Sequence, residues 1–138
     1  MKVSDRPVGL TRDSGWQAGV RRTLPLSPEK AWDFLLLPDA VNIWLGGRNP
    51  IAADGKFRLP DGTRCEITVF QPASHLRMRW QPPDYAQPAI LQVRLLPAGK
   101  KTVLAFHQEK LPDAAARKQR LVFYRTALTR LAELTGQR

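Results

Sequence analysis

Apolar and polar positions alternate with two different periods along this chain, and the switches between the periods mark its elements. From Trp16 the side chains alternate, with Trp16, Ala18 and Val20 opposite Gln17, Gly19 and Arg21. A period of two is that of a half-buried strand, and it continues to about Leu26. Ser27-Pro28-Glu29-Lys30 then predicts a helix start. The serine can cap free backbone amides, the proline has no amide to lose at the first helical position, and Glu29 suits the positive helix end. This helix carries Ala31, Trp32, Phe34, Leu35 and Leu36 and is expected to end at Pro38. A second short helix, Asp39 to Leu45, stops at Gly46-Gly47.

The middle of the chain returns to the period of two. Lys56 to Pro60 reads as a short strand, and Pro60-Asp61-Gly62 as a turn. In the next strand Thr63, Cys65, Ile67 and Val69 oppose Arg64, Glu66, Thr68 and Phe70. After Pro72-Ala73-Ser74 the pattern is cleanest: Leu76, Met78 and Trp80 alternate with Arg77, Arg79 and Gln81. Ala89 to Leu96 and Lys101 to Gln108 form a hairpin around Pro97-Ala98-Gly99-Lys100. A long helix, roughly Asp113 to Leu134, closes the chain. At 100° per residue it gathers Leu121, Phe123, Tyr124, Ala127, Leu128, Leu131, Ala132 and Leu134 on one half. Residues 1–14 have no periodicity and read as a loose lead-in.

The order is strand, two short helices, about five strands and one long helix. Hairpin-length connections imply an antiparallel sheet, so the fold class is α+β with the terminal helix lying across the sheet. At 138 residues one domain is expected over 1–138, with an ordered core of about 15–134. No repeat or linker divides it.

The net charge of +10 comes from 22 Lys and Arg against 12 Asp and Glu. It is spread along the chain, with tight clusters only at Arg21-Arg22, Lys100-Lys101 and Arg117-Lys118 with Arg120. Such spreading predicts a solvated basic surface rather than a dedicated polyanion site. The Trp and Tyr residues fall mostly at inward positions, away from the basic clusters, so a nucleic-acid partner is not expected. A single cysteine, Cys65, excludes an internal disulfide and a multi-cysteine metal cluster. No apolar run is long enough to span a membrane and no secretory signal is visible, so a cytoplasmic location is expected.

The residues that carry a family resemblance are Arg21-Arg22-Thr23-Leu24 ahead of Ser27-Pro28-Glu29-Lys30-Ala31-Trp32, then Ile43-Trp44-Leu45-Gly46. Asp61-Gly62-Thr63 and the run Gln71-Pro72, Leu76, Trp80 complete the set. In order and spacing, from about Gly15 to Leu134, the chain resembles the START/Bet v-like SRPBCC superfamily. Within it the chain is most similar to homologues of the activator of heat-shock protein 90 ATPase, in their C-terminal-domain-like part. It departs from them at Val122-Phe123-Tyr124, where members commonly carry Gly-Trp, and at His107-Gln108-Glu109-Lys110-Leu111, where they end the last strand differently. The resemblance implies a helix-grip fold, a curved antiparallel sheet wrapped around the long C-terminal helix, with a cavity between them.

Alternation says which side chains would line that cavity: Ile67, Val69, Met78, Trp80, Leu91, Val93, Leu104 and Phe106 from the strands. Trp44, Tyr124, Leu128 and Leu131 join them from the helices. The set suits a small hydrophobic or amphipathic molecule, though a filled core would use the same residues. Arg117 and Arg120 also fall on the inward half of the last helix, in its first turns. They are candidates for a cavity mouth that meets a carboxylate or phosphate. Pairing with Glu66, Asp84 or Glu109 is the competing expectation for them.

No metal, cofactor or catalytic residue is expected. His75 and His107 have no metal-ligand spacing around them, and a cyclase-like enzyme would have only Tyr124, His107 or Glu109 as acid or base. The leading expectation is therefore small-molecule binding. A protein-interaction or chaperone-accessory domain, with a chaperone or a second copy as partner, is the alternative from the family resemblance.

Overall fold

The computed structural model describes residues 9–11 and 15–136; readings that fall on residues 1–8, 12–14 and 137–138 lie outside it. Its elements are β1 (Leu10–Thr11), β2 (Gly15–Leu24), α1 (Pro28–Leu35), α2 (Pro38–Trp44), β3 (Lys56–Arg58), β4 (Arg64–Gln71), β5 (His75–Gln81), β6 (Ala89–Ala98), β7 (Lys101–Leu111) and α3 (Ala114–Leu134). The seven strands make one antiparallel sheet in the order β1-β2-β7-β6-β5-β4-β3. Strands β3 to β7 run as consecutive hairpins and β7 returns to pair with β2. α3 packs along β2 and β7, and α1 rests against β6 and β7. This is the helix-grip arrangement.

The helix starts follow the local chemistry. Ser27 caps α1, its Oγ accepting from the Lys30 amide at 3.3 Å, with Pro28 at the first position. Asp113 caps α3, its carboxylate accepting from the Ala116 amide at 2.8 Å. Pro38 does not close α1, which ends at Leu35; it opens α2 instead, where its missing amide costs nothing. Gly46, at φ 93°, ends α2. The Trp44 indole N–H donates to the Leu35 carbonyl at 2.9 Å, joining the two short helices in the core. Leu10–Thr11, expected within the lead-in, forms β1 by pairing with Trp16 and Gly15.

Two irregularities decide which way side chains point. In β4 the register shifts between Ile67 and Val69, because Thr68 is a bulge residue whose hydroxyl donates to the Arg77 carbonyl at 3.2 Å. An extra residue inverts the faces beyond it. Val69 therefore pairs with Arg77 on the outer face, while Phe70 pairs with buried Leu76 on the inner face. Phe70 meets Trp32 of α1 edge-on, 5.3 Å between centroids. The expected inward position of Val69 is thus corrected. In β7 a second shift follows Gln108: Ala18 pairs with Gln108 but Trp16 with Leu111, with Lys110 at φ 61° absorbing the difference.

Along α3 the inward residues are Ala116, Tyr124, Ala127, Leu128, Leu131 and Ala132. Leu134, placed on the apolar half by the wheel, is 54% exposed at the end of the helix.

Candidate functional site

Eleven of the twelve side chains expected around a cavity do face one another between the sheet and the helices. Trp44, Ile67, Met78, Trp80, Leu91, Val93, Leu104, Phe106, Tyr124, Leu128 and Leu131 are all buried. They pack as a core. Phe106 of β7 stacks on Tyr124 of α3 with centroids 4.8 Å apart, and Trp44 of α2 closes on Phe106 at 5.9 Å. This three-ring ladder fills the space between the sheet and α3 near its middle.

The chemistry lies at one end of that ladder. The guanidinium carbon of Arg120 sits 4.3 Å from the ring centre of Trp80, 4.3 Å from that of Phe123 and 4.9 Å from that of Tyr124. Trp80 comes from β5; Arg120, Phe123 and Tyr124 are neighbours within about one turn of α3, as i, i+3 and i, i+4 spacing requires. Arg120 Nε donates to Gln108 Oε1 at 2.8 Å and Nη2 donates to the Tyr124 hydroxyl at 3.2 Å. Tyr85, from the connection between β5 and β6, meets Trp80 edge-on at 5.5 Å. That connection is tied down by Gln81 Nε2 donating to the Tyr85 carbonyl at 2.9 Å.

Electrically the site is cationic. Among the described residues Arg120 has no carboxylate within salt-bridge distance. Of its three expected partners, Glu66 and Glu109 lie on the outer face of the sheet, where strand alternation puts them, and Asp84, next to Tyr85 in the connection between β5 and β6, is near the box but makes no salt bridge with it. Burial raises the Tyr124 pKa above its ordinary value, with the Arg120 charge and hydrogen bond opposing. Burial likewise raises that of Tyr85, opposed by Arg120 and reinforced by the Asp84 and Asp113 carboxylates. Both phenols are neutral at physiological pH. Gln108 is fully buried, and among the described residues its Nε2 has no hydrogen-bond partner. An orphaned buried donor costs about 1–3 kcal/mol, which an incoming acceptor atom would recover.

Arg117, the other candidate, has a different task. Its Nε donates to the Gln17 carbonyl at 2.7 Å, and its side chain occupies the place a Cβ at Gly9 would take. It clamps α3 to the β1–β2 edge. Of the three acid–base candidates, only Tyr124 is in the aromatic box. His107 and Glu109 sit on the outer face, 4.0 Å apart. Cys65 is buried, and burial, with Asp61 adding, pushes its thiol up to about 12, so it is an inert core residue. Sequence reasoning missed Gln108, Tyr85 and Phe123 as members of the site; a polar residue at an inward strand position (Gln108) was the available signal.

Comparison with known families finds that the family described as activator of Hsp90 ATPase homolog 1-like protein matches residues 25–136. Comparison with curated proteins gave no match. Among solved structures, DynU16, from the dynemicin biosynthetic locus, superposes with a TM-score of 0.73 at 18% identity over 85% of this chain. The chain spans 46% of the length of DynU16. An Hsp90 activator from Plasmodium falciparum gives 0.71 at 14% identity, covering 88% of this chain and 97% of that one. The Aha1 dimer from Colwellia psychrerythraea gives 0.66 at 17% identity, covering 85% and 93%. At these identities the likeness is one of fold. No helix among the described residues is long and apolar enough to cross a membrane.

Proposed function

The chain belongs to the family of activator of Hsp90 ATPase homolog 1-like proteins, and we propose that this member binds a small amphipathic molecule whose anionic head is held by Arg120. One observation carries the reading: a guanidinium boxed by Trp80, Phe123 and Tyr124 has no carboxylate partner among the described residues. Cation–π contacts of about 0.5–2 kcal/mol help hold a partly buried cation in place. They leave its affinity for an anion unspent. A carboxylate, sulfonate or phosphate accepts from the planar guanidinium in a two-pronged geometry, and the orphaned Gln108 amide supplies a further donor.

The apolar part of the ligand would lie against Tyr85, Trp80 and Phe123. Tyr85 itself belongs to the connection at residues 82–88 and meets Trp80 edge-on. Chaperone stimulation draws its support from the family and from a relative's name, and enzyme chemistry from Tyr124 alone; neither has a site of comparable definition. Native mass spectrometry of the purified protein tests the proposal. A discrete adduct that leaves on activation and ionises as an acid is expected. A neutral or cationic adduct would overturn the anionic-head assignment.

A further inference from the structure

Strand pairing gathers onto one surface charges that are scattered in sequence. The inner face of the sheet is taken up by the core and α3, so every second residue points outward. Those outward residues include Arg21 of β2, Lys101 of β7, Arg94 of β6, Arg77 and Arg79 of β5, Arg64 of β4, and Lys56 and Arg58 of β3. Against these eight cations the same strands turn only two carboxylates outward, Glu66 and Glu109. Glu66 is engaged by Arg79 at 3.1 Å and Lys56 at 3.8 Å. Glu109 accepts from Gln92 at 2.7 Å. Among the described residues the other six cations have no carboxylate within salt-bridge distance.

The face is also shaped. Arg21 and Arg94 both pair with Ala105, one strand on either side, so their Cα atoms stand about 10 Å apart. Ala105 and Gly19 floor an open groove of about 550 Å³ between them. At Gly19 a Cβ would come within 3.3 Å of the His107 ring. A second groove, of about 540 Å³, runs over Lys56, Arg58, Arg64 and Arg79 at the other end of the sheet, and each groove has one carboxylate in its wall, Glu109 in the first and Glu66 in the second.

We propose that this outer face docks an acidic protein surface, with carboxylates seated in the two basic grooves. The reading is independent of the Arg120 site, which lies on the opposite side of the sheet. A second copy of the chain is a poor occupant, because it would bring the same cations against themselves. The outward positions of β2 to β7 named above include no Trp, Tyr or Phe side chain, so the large stacking platforms that hold single-stranded nucleic acid are missing there. Six of the eight cations are arginines, whose fork matches a carboxylate. Glu66 and Glu109 interrupt the positive field in a way that suits a partner of mixed charge better than an evenly charged phosphate backbone.

The test uses the full-length protein and a fluorescein-labelled peptide of alternating Glu and Ala, read by anisotropy. A DNA duplex of equal charge runs alongside. Arg21→Glu combined with Arg94→Glu is expected to weaken peptide binding about tenfold or more. Lys118→Glu combined with Arg130→Glu changes the net charge equally on exposed positions of α3 and is expected to change it less than about threefold. Arg21→Gln with Arg94→Gln repeats the loss without introducing new charges, and circular dichroism reports whether each variant folds. Equal weakening by the α3 pair would overturn the proposal, leaving only the attraction of the whole chain. Tighter binding of the duplex than of the peptide would overturn it in favour of a nucleic-acid surface.

Discussion

Arg120 and Gln108 form a pair in which each leaves the other half-satisfied. The guanidinium donates to the amide oxygen at 2.8 Å, so a cation gains a neutral acceptor while the amide nitrogen remains buried without a partner. Among the described residues neither has a carboxylate to complete the arrangement. A pair of this kind costs stability in isolation, and it becomes favourable when an anion arrives. That incompleteness separates the site from the well-packed ring ladder beside it.

The two inward arginines of α3 are expected to behave differently. Arg117→Met removes a hydrogen bond to the Gln17 carbonyl and should lower unfolding free energy by about 1 kcal/mol. It should leave the affinity for an amphipathic carboxylate within about twofold, since the residue clamps β1 and β2 rather than facing the aromatic box. Urea unfolding and ligand titration of the same variant check both halves.

The bulge at Thr68 makes a sharp prediction about two adjacent residues. Phe70→Ala should destabilise by roughly 2–4 kcal/mol, because it removes a ring packed against Trp32. Val69→Thr should change stability by less than about 0.5 kcal/mol, as expected for an outward position. Without the bulge the two effects would be reversed. Denaturant midpoints of the two variants decide between the registers.

Cys65 gives the chain an alkaline sensitivity. Its thiol is raised from the ordinary value of 9.0 to about 12 by burial. A raised folded-state pKa means that the contribution is fully present below the unfolded value and is lost as pH rises towards the folded one. Between about pH 8 and pH 10 the unfolded thiol ionises while the buried one keeps its proton. The wild type should therefore lose about 1.4 kcal/mol more than Cys65→Ala over that range. The raised Tyr124 and Tyr85 values act in the same direction from about pH 10 upward. Urea titrations of the wild type and the variant at the two pH values measure the difference.

Most of the architecture was legible in the sequence because strand and helix periods are local. Ser27-Pro28 announced α1, and the alternation from Leu76 to Trp80 gave the inner face of β5. Pro38 misled because a proline both stops one helix and starts the next, and only packing shows which. Val69 misled because alternation carries no mark of a bulge; the bond from the Thr68 hydroxyl to the Arg77 carbonyl spans two strands. Arg120 was placed inward correctly by the wheel, yet its partners come from β5, β7 and the 82–88 connection, which only the fold brings together. The basic outer face was hidden for the same reason. Its eight cations run from Arg21 to Lys101, and sequence distance scatters what the strand register collects.

Selection of an anionic head group by Arg120 is open to a direct titration. Wild type and Arg120→Met are each titrated with a medium-chain fatty acid and with the alcohol of equal chain length, followed by isothermal titration calorimetry. The wild type is expected to bind the acid about tenfold or more tightly than the alcohol. Arg120→Met is expected to abolish this preference while leaving alcohol binding within about threefold. Equal affinities for acid and alcohol in the wild type, or a preference that survives in Arg120→Met, would contradict the assignment.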